Sequence, residues 1–207
     1  MTTDTVQMTA TQDPQVGDVV APQARTRRLA RLGLLPALAA FALISAACSS
    51  GSGSSNSTVG SLVSQGLSAE QSGQPQQALK DFKDAAAADP TSAIPYYDLG
   101  VVYQQLKEPA NAATQYQKAL VADPNDAAAV YNLAIVETPN NPLNAINLYK
   151  QLLQRNPNDS NVLFNLGLIL VSNGSAIEGQ ADLNKAISIN PGFLNRVPKG
   201  ITVSPSF

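Results

Sequence analysis

Histidine and tryptophan are absent from the 207-residue chain, and cysteine occurs once, at Cys48. A zinc site made of imidazole and thiolate ligands needs three or four such groups, so no metal site of that kind is expected. A Ser–His–Asp or Cys–His nucleophile pair cannot be assembled, and no disulfide can close within one molecule. Charge is scarce as well. Asp, Glu, Lys and Arg make up 14% of the residues and the formal net charge is −2; the charged share is roughly half that of an ordinary soluble domain. Such a balance lacks the basic face with which nucleic-acid binders meet phosphate. Apolar residues, by contrast, make up 44% of the chain. That is enough for the core of one domain, with residues to spare for a leader or a tail.

The few charges are unevenly placed. Before the cysteine, Arg25, Arg27, Arg28 and Arg31 cluster within seven residues, against the scattered Asp4, Asp13 and Asp18. An apolar run, "LGLLPALAAFALISAAC" (32–48), follows the arginines directly. A basic segment, a short apolar run and small residues are the three parts of a secretory signal. The run is shorter than the roughly 20 apolar residues of a spanning helix. Positive charge ahead of it holds the N-terminus in the cytoplasm and sends the rest of the chain across the membrane. "SAAC" (45–48) resembles the lipobox of bacterial lipoproteins, with Ser45 where leucine is more usual. The resemblance implies cleavage before Cys48, acyl chains on that residue, and a protein anchored by lipid on the extracytoplasmic side of the cell membrane. The alternative is an uncleaved signal anchor in which Cys48 is incidental. "SSGSGSSNST" (49–58) reads as a flexible tether. Its "GSG" follows no strand and makes no phosphate loop.

The remainder repeats. Pro90, Pro124, Pro157 and Pro191 each follow Asp or Asn at a period of 33 or 34 residues. Twelve places before each proline stands a small residue: Ala78, Ala112, Ala145 or Gly179. Eight before stands a ring or a large apolar group: Phe82, Tyr116, Tyr149 or Leu183. Five before stands Ala85, Ala119, Leu152 or Ala186. Gly66, Gly100 and Gly167 lie twenty-four before three of the prolines, and Ala134 takes that place in a unit one residue short. Apolar residues at i, i+3, i+4 and i+7 make each half-unit an amphipathic helix. Eight helices are expected, over roughly 60–72, 75–88, 93–106, 109–122, 127–137, 142–155, 160–173 and 176–189. The small residues let paired helices approach, and each proline ends a unit.

This 34-residue helix–turn–helix pattern resembles the tetratricopeptide repeat. The fold class is therefore expected to be an all-α, helical-hairpin solenoid of about four repeats. The division is 1–47 leader, 48–58 lipidated cysteine and linker, 59–191 repeats (59–92, 93–126, 127–159, 160–191) and 192–207 tail. The resemblance implies a superhelix whose first helices line an inner face. Beside the packing positions lie Val63 and Leu67, Tyr97 and Val101, Tyr131 and Ile135, and Phe164 and Leu168. Each pair is spaced i, i+4 and so points one way. With Gln104, Gln105 and Asn132 beside them, they form a candidate apolar groove for a partner peptide or helix, or else fill contacts between neighbouring helices. Relatives that clamp a C-terminal carboxylate line this groove with Lys, Arg and Asn, which are mostly replaced here by apolar groups.

Asp81 and Asp84 lie one turn apart on what reads as the solvated face, so no general acid–base pair is assigned. No catalytic residue, cofactor or metal is expected. The expected function is a non-catalytic scaffold in the bacterial cell envelope, holding another envelope or secreted protein. The alternatives are a self-associating assembly lipoprotein and, less favoured by an open groove, a small-ligand binder. The tail "GFLNRVPKGITVSPSF" (192–207) is apolar but carries helix-breaking Gly and Pro. It is expected to pack in extended form over the last helix pair or into a groove.

Overall fold

The computed structural model describes residues 54–205, which build helices and turns with no strand. In order these are α1 (Ser54–Gln71), α2 (Pro75–Ala88), α3 (Ala93–Gln105), α4 (Pro109–Ala122), α5 (Ala127–Glu137), α6 (Pro142–Arg155), α7 (Ser160–Ser172) and α8 (Ala176–Ile189), then a 3₁₀ turn over Pro191–Arg196. Odd and even helices pair as hairpins, each hairpin packs on the next, and the 3₁₀ turn lies against α8. The architecture is the expected all-α solenoid of helical hairpins. Cys48 and the leader lie outside the described residues.

The recurrent Asx–Pro step has a local cause. The side-chain oxygen of Asp89, Asp123, Asn156 or Asn190 accepts from the backbone N–H two residues on, at 3.0, 3.0, 3.4 and 3.1 Å. The carbonyl of the same residue accepts from the N–H three residues on, at 3.1–3.2 Å in every case. Side chain and backbone together close a turn that proline pre-sets, so the helix stops at one place in each repeat. The chain then re-enters a helix. Asp126 and Asp159 cap α5 and α7, each carboxylate accepting from two backbone N–H groups of the first turn. Proline opens α2, α4 and α6, where its missing N–H costs nothing.

Within a hairpin, contact depends on the small residues. A methyl group on Gly100 would sit 2.5 Å from the Tyr116 ring, and one on Gly66 would sit 2.5 Å from Phe82. The rings therefore press directly against the glycines, and Phe82, Tyr116, Ala78 and Ala112 are wholly buried. In the last hairpin Gly167 meets Gly179 and Leu183 instead, and the two backbones come closer still.

Two features differ from expectation by more than a residue. Helix α1 starts at Ser54, within the stretch read as tether. Val59 and Val63 are buried, and a helix nucleated by their packing extends toward its N-terminus at little cost through Ser and Asn. The tail is not extended throughout: its first five residues, with Pro191, coil into the 3₁₀ turn before residues 197–205 run without regular structure. None of the described helices is long and apolar enough to cross a membrane.

Candidate functional site

The first helices α1, α3, α5 and α7 carry the residues singled out from sequence, and the structure divides them in two. The i+4 series, Leu67, Val101, Ile135 and Leu168, is partly exposed in all four repeats. Each packs at the margin of a core cluster with one side left toward solvent. The i series is different. Tyr97 remains partly exposed, but Val63, Tyr131 and Phe164 are 3%, 6% and 2% exposed. These three fill helix–helix contacts and offer no open surface.

A bond also runs from repeat to repeat along these helices. Asn132 Nδ2 donates to the Tyr97 hydroxyl at 3.1 Å, and Asn165 Nδ2 donates to the Tyr131 hydroxyl at 2.8 Å. Each joins one first helix to the next. Tyr131 also meets Tyr149 edge-on, with centroids 6.0 Å apart. Burial pushes the Tyr131 hydroxyl up to about 12, against a smaller downward pull from the Asn165 bond. The Tyr116 and Tyr149 hydroxyls are also driven up, chiefly by burial. A tyrosine followed 34 or 35 places later by asparagine is the sequence trace of this bond. Asn165 was not among the expected site residues.

The polar residues expected beside the groove have partners within the fold. Gln104 Oε1 accepts from the Tyr116 hydroxyl at 2.9 Å. Gln105 Nε2 donates to Glu70 at 2.6 Å, from α3 to α1. With the Asn132 bond to Tyr97, these tie helices together rather than wait for a peptide backbone.

Phe164 owes its burial to the tail. Phe193, from the 3₁₀ turn, stacks on it with centroids 4.7 Å apart and ring planes 21° apart. The Arg196 guanidinium lies 5.1 Å from the Phe164 centroid and 5.2 Å from that of Phe193. Neither Phe193 nor Arg196 was among the expected site residues.

A cleft of about 170 Å³ lies beside Tyr131, between the N-terminal ends of α5 and α7, lined by Ala127, Ala128, Leu152, Asp159, Asn161 and Val162. Drug-sized ligands occupy pockets of roughly 300–1,000 Å³, so this cleft lends little to a small-ligand reading.

Comparison with known proteins agrees with the fold. Two tetratricopeptide-repeat family profiles match, one over residues 63–127 and the other over 148–181. The unmatched interval holds α5 and the shortened third turn. No curated protein matches the chain by sequence. Among solved structures, MamA is 25% identical over 68% of this chain and 77% of its own, with a TM-score of 0.64. PilF of Pseudomonas aeruginosa is 26% identical over 66% of this chain and 63% of its own, with a TM-score of 0.57. The first repeat domain of Spaghetti (RPAP3), solved with an HSP90 peptide, shares the fold at 18% identity and a TM-score of 0.55, over 57% of this chain and 94% of its own.

Proposed function

We propose that this chain of tetratricopeptide repeats is a non-catalytic scaffold, tethered to the outer face of the cell membrane by acyl chains on Cys48, that holds a segment of another envelope or secreted protein. The observation that carries the binding half is the aliphatic stripe Leu67, Val101, Ile135 and Leu168. It is one partly exposed apolar side chain per repeat, in one register, on a fold that buries its other repeat-defining apolar positions. Such a stripe suits an extended or helical segment that presents apolar groups at matching intervals. Tyr97 and Ile94 widen it at α3. The anchoring half rests on the basic cluster, the apolar run and "SAAC" ahead of Cys48. Two or more acyl chains hold a protein to a bilayer where one chain does so only marginally.

One experiment addresses both halves. A photo-crosslinking residue is placed at Val101 or Ile135 in cells producing the chain, with the exposed Thr114 of α4 as control. The same cells carry either Cys48 or Cys48→Ala. A defined adduct from Val101 and Ile135, absent from Thr114, is the expected result, together with loss of fatty-acid labelling in Cys48→Ala. Equal adducts from all three positions would overturn the groove. Unchanged labelling would overturn the lipid anchor.

A further inference from the structure

The fourfold alignment shows what is unusual about the tail. Two places after each repeat proline stand Ser92, Asp126, Asp159 and Phe193. The first three are the N-cap residues of α3, α5 and α7. At the fourth position a phenyl ring has no oxygen to cap with, and Pro198 five residues later would clash inside any helix begun there. The chain thus begins a fifth first helix and fails to complete it. What it makes instead is a plug: Phe193 is 3% exposed, seated among Leu163, Phe164, Leu183, Ala186 and Ile187.

The plug is held mainly through side chains. The backbone bonds Phe193 N–H to Asn190 O, Val197 N–H to Leu194 O and Ile201 N–H to Pro198 O are local ones. A bond that crosses to the body runs from Ser204 N–H to Asn184 Oδ1, at 2.7 Å. Val197, Ile201 and Val203 are half-buried, and Leu194 is 46% exposed. Side-chain insertion, led by one ring and the guanidinium over it, is what holds the tail. The seat also touches Leu168, the last residue of the aliphatic stripe.

We propose that the tail is a displaceable internal ligand, and that the seat it fills at the end of the fourth hairpin is a docking subsite for a partner segment carrying an aromatic ring followed three residues later by arginine. Phe193 and Arg196 show the chemistry the seat selects: a ring stacked on Phe164 and a cation over both rings. A tethered ligand acts at an effective concentration in the millimolar range. The seat therefore stays shut to weak competitors and opens to a segment that binds better or is itself held nearby. The tail's own packing carries this proposal, whether or not the aliphatic stripe of the four first helices holds a partner.

The test uses the full chain and a fluorescent peptide of residues 190–205. Binding is measured by anisotropy to the unaltered chain, to Phe193→Ala, and to Phe193→Ala combined with Phe164→Ala. The peptide is expected to bind Phe193→Ala at least about tenfold more tightly than the unaltered chain, since the internal competitor has been weakened. Adding Phe164→Ala should abolish that gain. Replacing either Phe or Arg in the peptide should weaken binding by about tenfold, a step corresponding to 1.4 kcal/mol. Equal affinity for the unaltered and Phe193→Ala chains, or no binding to either, overturns the proposal. So does a Phe193→Ala chain without helical circular dichroism, because the tail would then be a permanent part of the fold. Light scattering that finds a dimer of the unaltered chain, lost in Phe193→Ala, would give the seat to a second copy's tail and overturn the assignment of its occupant.

Discussion

Tyr131 and Val101 lie one turn apart in equivalent helices' terms, yet they end in different surroundings. The Tyr131 ring packs edge-on against Tyr149 within the core, and its hydroxyl accepts from Asn165 on the next first helix at 2.8 Å. An aliphatic chain four places on has no such partner and stays at the margin. The pairs at i and i+4 were legible as one face of a helix. The packing that buries one member was not, because it depends on how far apart successive helices stand. Burial of the Tyr131 hydroxyl also sets a pH dependence. With its folded value raised to about 12 against an unfolded value near 10, Tyr131 keeps its proton in the native state after the unfolded chain has lost it. Its contribution is fully present below about pH 10 and declines as pH rises from there toward 12, by about 1.4 kcal/mol per unit. Tyr116 and Tyr149, raised by burial, act with the same sign. Tyr131→Phe should therefore reduce the fall in unfolding free energy between pH 9 and pH 11 by about 1 kcal/mol. Urea melts at the two pH values measure this. An identical fall in both proteins would refute the assignment.

Helix boundaries were well read from the sequence because each is set within a few residues. The Asx–Pro turn, the proline at the first helical position and the aspartate cap act locally, and α2, α4, α5, α6 and α8 run as expected. The turns inside the hairpins hold a less visible feature. Gly73 and Gly174, seven places beyond the packing glycine, have φ of +68° and +88°. Lys107 holds the equivalent place at φ +60°, where a side chain meets the following carbonyl. Lys107→Gly should raise stability by about 1 kcal/mol, or about 3 °C in Tm, while Lys107→Ala should not. Thermal melts of the three proteins distinguish the outcomes, and a gain from alanine as large as that from glycine would remove backbone strain as the cause. The third hairpin omits this residue altogether. Thr138 continues α5 with helical dihedrals, its hydroxyl donating to Ala134 O, and Asn141 at the head of α6 is extended in φ. The missing residue of the third unit is thus the left-handed one.

Among the described residues, packing passes chiefly from each helix to its neighbours in sequence, with smaller direct contacts between successive first helices. Such an array responds to damage locally. Leu183→Ala, at a fully buried site against Gly167, should cost about 2–4 kcal/mol. Amide exchange should quicken in α7 and α8 before α1 and α2. A uniform rise along the chain would mean the four hairpins unfold as one unit. The sequence alone determined the helices, their pairing, the period and the place of each turn, because those depend on neighbours within a repeat and are written four times over. It also placed the aliphatic stripe on one side of the first helices. Tertiary structure alone decided which of the candidate groove residues remain open, since that depends on packing from other helices and the tail, such as Tyr149 on Tyr131 and Phe193 on Phe164. It alone seated Phe193 on Phe164 as well, because the fit of the tail depends on the shape of the end that the last hairpin leaves uncovered.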